Sequence, residues 1–205
     1  MLKNIIFDWS GVIKDALGIH YWIVNKMFWE LSGKNISVGE MKNSWEWPYM
    51  KFWNKYFPEL TAEQEEILYR KTITSNECPK PKAYPGIVDL IKKLKERKIP
   101  MAVLSSDLPE TFFPEMKDFG LENIFDDLLV GIHDKGEFIE ELLIKNNFKP
   151  AETFLIGDTE HELRVAKKAG VKTIAVTWGF DEEEKLKAMK PDYVAHNIKE
   201  LEEIL

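Results

Sequence analysis

The run Ile5-Ile6-Phe7 ends on Asp8, and Gly11 breaks the pattern soon after. An apolar, β-rich segment that halts on a carboxylate predicts a buried strand carrying Asp8 at its C-terminal tip. That is the edge where open α/β sheets place their chemistry. The chain supplies the rest of such a sheet only after residue 80. Met101–Leu104, Phe125–Val130, Thr153–Ile156, Thr173–Val176 and Tyr193–Val194 are the strand candidates. Helical patterns at about 86–98, 109–118, 136–147, 160–169, 181–189 and 197–204 separate them. Alternation of this kind predicts βαβ units and a parallel sheet.

The first strand is cut off from the others by roughly 65 residues of helical pattern, far longer than an ordinary loop. Within it Tyr21, Val24, Phe28 and Leu31 recur at spacings of three and four, and Trp22, Trp29, Trp45, Trp47 and Trp53 all fall in this segment. Pro79, Pro81 and Pro85 then break any helix, so residues 78–86 read as a linker. The expected architecture is α/β: a doubly wound parallel sheet from residues 1–15 and 80–205, with strand 1 central, and an inserted helical cap over 16–79. The tryptophans are expected to pack the cap core and its contact with the sheet domain rather than to cage a ligand.

A formal net charge of −7 argues against a surface devoted to nucleic acid or anionic lipid. An anionic substrate then needs a local positive pocket, a metal, or both. Cys78 is the only cysteine, which excludes an intrachain disulfide and suits a reducing cytoplasm. No secretion signal is evident ahead of strand 1, and no apolar stretch reaches the length of a membrane span. A cytoplasmic protein is expected.

Four segments could carry chemistry. Asp8, at a strand end beside a glycine turn, is either a nucleophile or a turn cap. Met101-Ala102-Val103-Leu104-Ser105-Ser106-Asp107 is an apolar strand ending on a hydroxyl. In it Ser106 lies where backbone N–H groups at a coming helix start can hold an anion. Asp107-Leu108-Pro109-Glu110 spells a capping box, so Asp107 is read as structural. Lys135 follows a strand candidate and precedes a helix, with His133 and Asp134 as plain loop residues. Phe154-Leu155-Ile156-Gly157-Asp158 ends a strand on Gly-Asp, with Glu162 four positions on. Thr159 and Glu162 also spell a capping box, and His161 reads as a surface residue.

Taken in order and spacing, these segments resemble the haloacid dehalogenase-like phosphohydrolases, whose first motif usually reads Asp-x-Asp-Gly-Thr. The resemblance covers the sheet domain. Ala175-Val176-Thr177-Trp178-Gly179 and Lys190-Pro191-Asp192-Tyr193-Val194 are similar to the phosphoglycolate phosphatase-like members. It implies that Asp8 attacks phosphorus to form an aspartyl-phosphate, and that Ser105 and Lys135 clamp the phosphoryl group. It also implies Mg²⁺ held by Asp8, Asp158 and the main-chain carbonyl of Ser10, with Glu162 bracing the helix, touching a metal-bound water, or both. The implied partner is a small phosphorylated metabolite.

Ser10 departs from the pattern, for it stands where the family keeps its general acid-base Asp. A serine hydroxyl does not exchange a proton near pH 7 unless a strong base adjoins it, and losing such a group typically costs about 10² to 10⁴ in rate. Three readings follow. Turnover persists on substrates with good leaving groups or with another proton source. Alternatively the chemistry has shifted, as in phosphonate hydrolases that use a cap lysine, for which Lys14, Lys26, Lys51 and Lys55 are available, or in dehalogenases that attack carbon. Or the protein binds phosphoryl ligands without hydrolysing them.

Overall fold

A computed structural model describes residues 3–46, 48–132 and 134–205. Trp47 and His133 lie outside the described residues. The chain forms two compact units, one made of the chain up to Ala16 together with Pro81–Leu205, the other of Leu17–Lys80.

The second unit is helical: α1 (Leu17–Ser32), α2 (Val38–Ser44), α3 (Met50–Tyr56) and α4 (Ala62–Ile73). Local chemistry sets its starts. The Ser37 hydroxyl accepts from the Glu40 N–H, and Thr61 and Gln64 cap α4 reciprocally. Its core is aromatic. Phe28 is ringed by Phe52, Trp53, Tyr56 and Phe57 at centroid distances of 5.0–5.9 Å. Trp53 is buried, and Trp22 and Trp45 pack against this cluster. Trp29 departs from expectation at 60% exposed, because the buried stripe of α1 runs through Ile23, Val24, Met27 and Phe28 and leaves it outside.

The first unit carries six parallel strands, β1 (Asn4–Phe7), β2 (Met101–Leu104), β3 (Asp127–Leu129), β4 (Thr153–Gly157), β5 (Lys172–Val176) and β6 (Tyr193–Ala195). Their order is β3-β2-β1-β4-β5-β6, with β1 in the interior as expected. β3 is shorter than its apolar run suggests. Phe125 is engaged edge-to-face with Phe7, and Gly131 turns the chain at φ 77°. Strand alternation divides the core. Ile5, Phe7, Met101, Val103 and Ile156 pack with α5 (Ile87–Glu96), α6 (Pro109–Asp118) and Leu201 near the C-terminus. On the other face Ile6, Ala102, Leu104 and Leu155 pack with α7 (Lys135–Lys145) and α8 (Glu160–Lys168). The fold is thus α/β and doubly wound, completed by α9 (Glu183–Ala188) and α10 (Ile198–Ile204). No described helix is long and apolar enough to cross a membrane.

Parallel pairing sets Phe7 beside both Val103 and Ile156. Asp8, Ser105 and Asp158 are in consequence each the first residue beyond one of three adjacent strands.

Candidate active site

Lys135, the first residue of α7, reaches the strand ends. Its Nζ lies 2.5 Å from Asp8 Oδ1 and 2.8 Å from Glu162 Oε1, with all three residues buried. Asp134, expected as a plain loop residue, starts this helix: its carboxylate accepts from the Gly136 N–H at 2.9 Å. The second oxygen of Glu162 accepts from the backbone N–H groups of Asp158 and Thr159, at 3.2 and 3.0 Å. Glu162 therefore braces the start of α8 and holds Lys135 with the same carboxylate.

Asp8, Asp158 and Glu162 bring carboxylate oxygens within 4.8 Å of one another. Asp158 is fully buried; Oδ2 accepts from the Phe180 N–H at 2.8 Å, while Oδ1 is buried with no hydrogen-bond partner. Two glycines make its room. A Cβ at Gly11, whose φ of +96° already disfavours side chains, would sit 2.0 Å from Asp158 Oδ2, and one at Gly179 would sit 2.1 Å away. Burial pushes the Asp8 carboxyl up to about 7 despite the opposing pull of Lys135. Burial, with Glu162 and Asp8 nearby, raises Asp158 well above the carboxylate range. Burial alone would lower the Lys135 ammonium, but Asp8 and Glu162 outweigh it and raise it. Three clustered carboxyl groups, two of them on one ammonium and the third with an orphaned buried oxygen, are a donor set that fits a hard divalent cation.

Ser105 is buried beyond β2, and its Oγ accepts from the Asp107 N–H at 3.1 Å. Ser106 is exposed. Asp107 corrects the sequence reading. The N-cap of α6 is Leu108, with no side-chain cap bond, and the Asp107 carboxylate turns elsewhere. It accepts from Ser10 Oγ at 2.7 and 2.9 Å and from Lys14 Nζ at 2.7 Å. A buried ammonium is a stronger partner than a free helix N–H, so it wins the carboxylate. Lys14 also donates to Glu115 at 3.0 Å, whose other oxygen accepts from the Trp9 indole. Burial works against the Asp107 anion, but Lys14 and Ser10 hold its carboxyl below the ordinary range. The lysines available for a shifted chemistry are engaged: Lys14 as above, Lys26 with Glu77, Lys51 near Glu46, and Lys55 with Ser44. His161, expected on the surface, is half-buried, and burial lowers its imidazole.

A family model described as haloacid dehalogenase-like hydrolase matches residues 5–176. The phosphoglycolate phosphatase of Synechococcus elongatus is 24% identical over 204 residues, covering 98% of this chain and 95% of that protein. Pyrophosphatase PpaX of Halalkalibacterium halodurans is 28% identical over 158 residues, covering 73% of each. Among solved structures, a haloacid dehalogenase-like family hydrolase from Streptococcus pneumoniae shares the fold with a TM-score of 0.83 at 23% identity, over 100% of this chain and 99% of that one.

Proposed function

The chain belongs to the haloacid dehalogenase-like hydrolases, and on that footing we propose that it is a Mg²⁺-dependent phosphatase of small phosphorylated metabolites. The observation that carries this reading is the buried contact of Lys135 with Asp8, beside the orphaned Oδ1 of Asp158.

Asp8 is the nucleophile. Its carboxylate oxygen attacks phosphorus to give an aspartyl-phosphate, which water then cleaves. Lys135 neutralises Asp8 and the phosphoryl oxygens, and Glu162 holds Lys135 in place. Ser105 supplies a hydroxyl to the phosphoryl group. Asp8, Asp158 and the Ser10 carbonyl would hold Mg²⁺, with Glu162 no closer than an outer shell since both its oxygens are engaged. When bound, the ion offsets the charge of the carboxylates and of the phosphoryl oxygens. The helical unit takes the part of the inserted cap, which selects the substrate.

A panel of phosphorylated metabolites with and without Mg²⁺ tests this reading. Turnover should require the ion and vanish in Asp8→Asn; full activity in that variant overturns the assignment. Ser10 favours a second reading, a silent protein that binds phosphoryl ligands. That reading takes over if phosphorylated ligands bind tightly while none is hydrolysed.

A further inference from the structure

A closed chain of side chains runs out of the Asp8 loop and returns to it. Ser10 donates to Asp107, Lys14 donates to Asp107 and Glu115, and the Trp9 indole donates to Glu115. Both ends lie in the residues directly after Asp8. Trp9 is fully buried, its ring 4.5 Å from Phe112 and 5.6 Å from Phe119, so the loop is anchored on that side. Lys14 is only 4% exposed. Ser10 and Asp107, by contrast, are half-buried.

The proton inventory of this chain is specific. A serine hydroxyl has one hydrogen to give. Here it goes to both oxygens of Asp107, at 2.7 and 2.9 Å. That carboxylate is also bound by an ammonium, so it is an acceptor at every contact the structure gives its oxygens. The position where the family keeps a proton donor is therefore occupied by a hydroxyl whose hydrogen is already committed.

Given the phosphatase reading, we propose that the Ser10–Asp107–Lys14 arrangement makes the site selective for phosphates whose leaving group departs as a weakly basic anion. Acyl phosphates, phosphoanhydrides and aryl phosphates meet that description; esters of simple alcohols do not. In the first step an Asp8 oxygen forms a bond to phosphorus, and the phosphorus–oxygen bond to the leaving group breaks with its electron pair on the departing oxygen. A carboxylate, phosphate or phenolate carries that pair without a proton, whereas an alkoxide needs protonation as it leaves. In the second step water attacks phosphorus and the bond to Asp8 breaks, its pair returning to the carboxylate. The dihydrogen phosphate product retains both hydrogens of the water, so this step balances with no further base. Phosphoglycolate, the ester of an alcohol, falls in the disfavoured class, and pyrophosphate in the favoured one.

The test is kcat/KM with Mg²⁺ for acetyl phosphate, pyrophosphate, p-nitrophenyl phosphate, phosphoglycolate and ethyl phosphate. This ratio reports the steps up to transfer onto Asp8, where the leaving group departs. The first three should exceed the last two by about 10²-fold or more, the lower range of what a positioned acid supplies. Ser10→Asp, which restores a carboxyl group, should raise the two alkyl substrates by a similar factor and narrow the gap. Wild-type values that agree within about tenfold across all five overturn the proposal, as does a Ser10→Asp gain equal for every substrate. If no member of the panel is turned over, or if Asp8→Asn keeps full activity, the phosphatase reading itself fails and takes this inference with it.

Discussion

The Lys135 ammonium stands 2.5 Å from Asp8 Oδ1 across 127 residues of sequence, and it also holds Glu162, so that it touches two of the three clustered carboxyl groups. Removing it leaves buried acids facing one another without compensation. Lys135→Met should cost about 3–5 kcal/mol in chelator, the range for breaking a buried ion pair from one side. Saturating Mg²⁺ should recover part of that loss, since the ion offsets the same charges. Denaturant unfolding with and without the ion measures both; an unaltered midpoint in chelator contradicts the electrostatic account.

Asp158 tests the metal in the opposite sense. Its carboxyl is raised by burial and by the neighbouring acids, so its charged form works against folding. Asp158→Asn keeps the shape, retains an acceptor for the Phe180 N–H and removes the charge. The variant should melt higher than wild type in chelator yet lose most of the thermal shift that Mg²⁺ produces. Calorimetric titration supplies the second readout: equal Mg²⁺ affinity in the two proteins would remove Asp158 from the site.

Gly179 tests the space around that carboxylate. An added methyl would lie 2.1 Å from Asp158 Oδ2 and 2.4 Å from its Cβ, well inside contact distance. Gly179→Ala should therefore displace Asp158, lowering stability by about 1–3 kcal/mol as overpacking does and weakening Mg²⁺ binding. A fully stable variant with unimpaired Mg²⁺ affinity would show that Asp158 can move freely.

The sheet was legible because its strands are short apolar runs with clear breaks, and because three of the six are followed directly by a chemically distinctive residue: Asp8, Ser105 or Asp158. Parallel register then makes neighbours of residues far apart in sequence, Phe7 pairing with both Val103 and Ile156. Asp107 misleads for a local reason. Asp-Leu-Pro-Glu spells a helix start, but the partners that decide its orientation, Ser10 and Lys14, lie 97 and 93 residues away. One signal was present: Lys14 directly follows the apolar pair Val12-Ile13 in a loop beside a buried strand, and a lysine that is buried there needs an anion. Glu65 was illegible altogether. It sits among Glu63, Gln64 and Glu66, and spacing alone cannot tell which member of such a run turns inward.

Glu65 lies on α4 of the helical unit. It is 6% exposed, and the Trp53 indole hydrogen-bonds to its side chain. Burial raises its carboxyl from 4.5 to about 7; the bond from Trp53 opposes that rise and Glu66 adds to it. A carboxyl raised in the folded state binds its proton more tightly there than in the unfolded chain. Its stabilising contribution is complete below about pH 4.5 and is lost as the pH climbs toward 7. Over that window the loss is on the order of 1–3 kcal/mol, at 1.36 kcal/mol per pKa unit reduced for solvent screening. Glu65→Gln keeps an acceptor for the Trp53 indole and carries no charge. It should melt higher than wild type at pH 8 and converge with it at pH 4.5, so the difference between the two proteins isolates this residue from every other titrating group. Near-ultraviolet circular dichroism, which reads the aromatic core around Phe28 and Trp53, is the suitable probe. A difference that stayed constant between pH 4.5 and 8 would show that Glu65 does not titrate in this window.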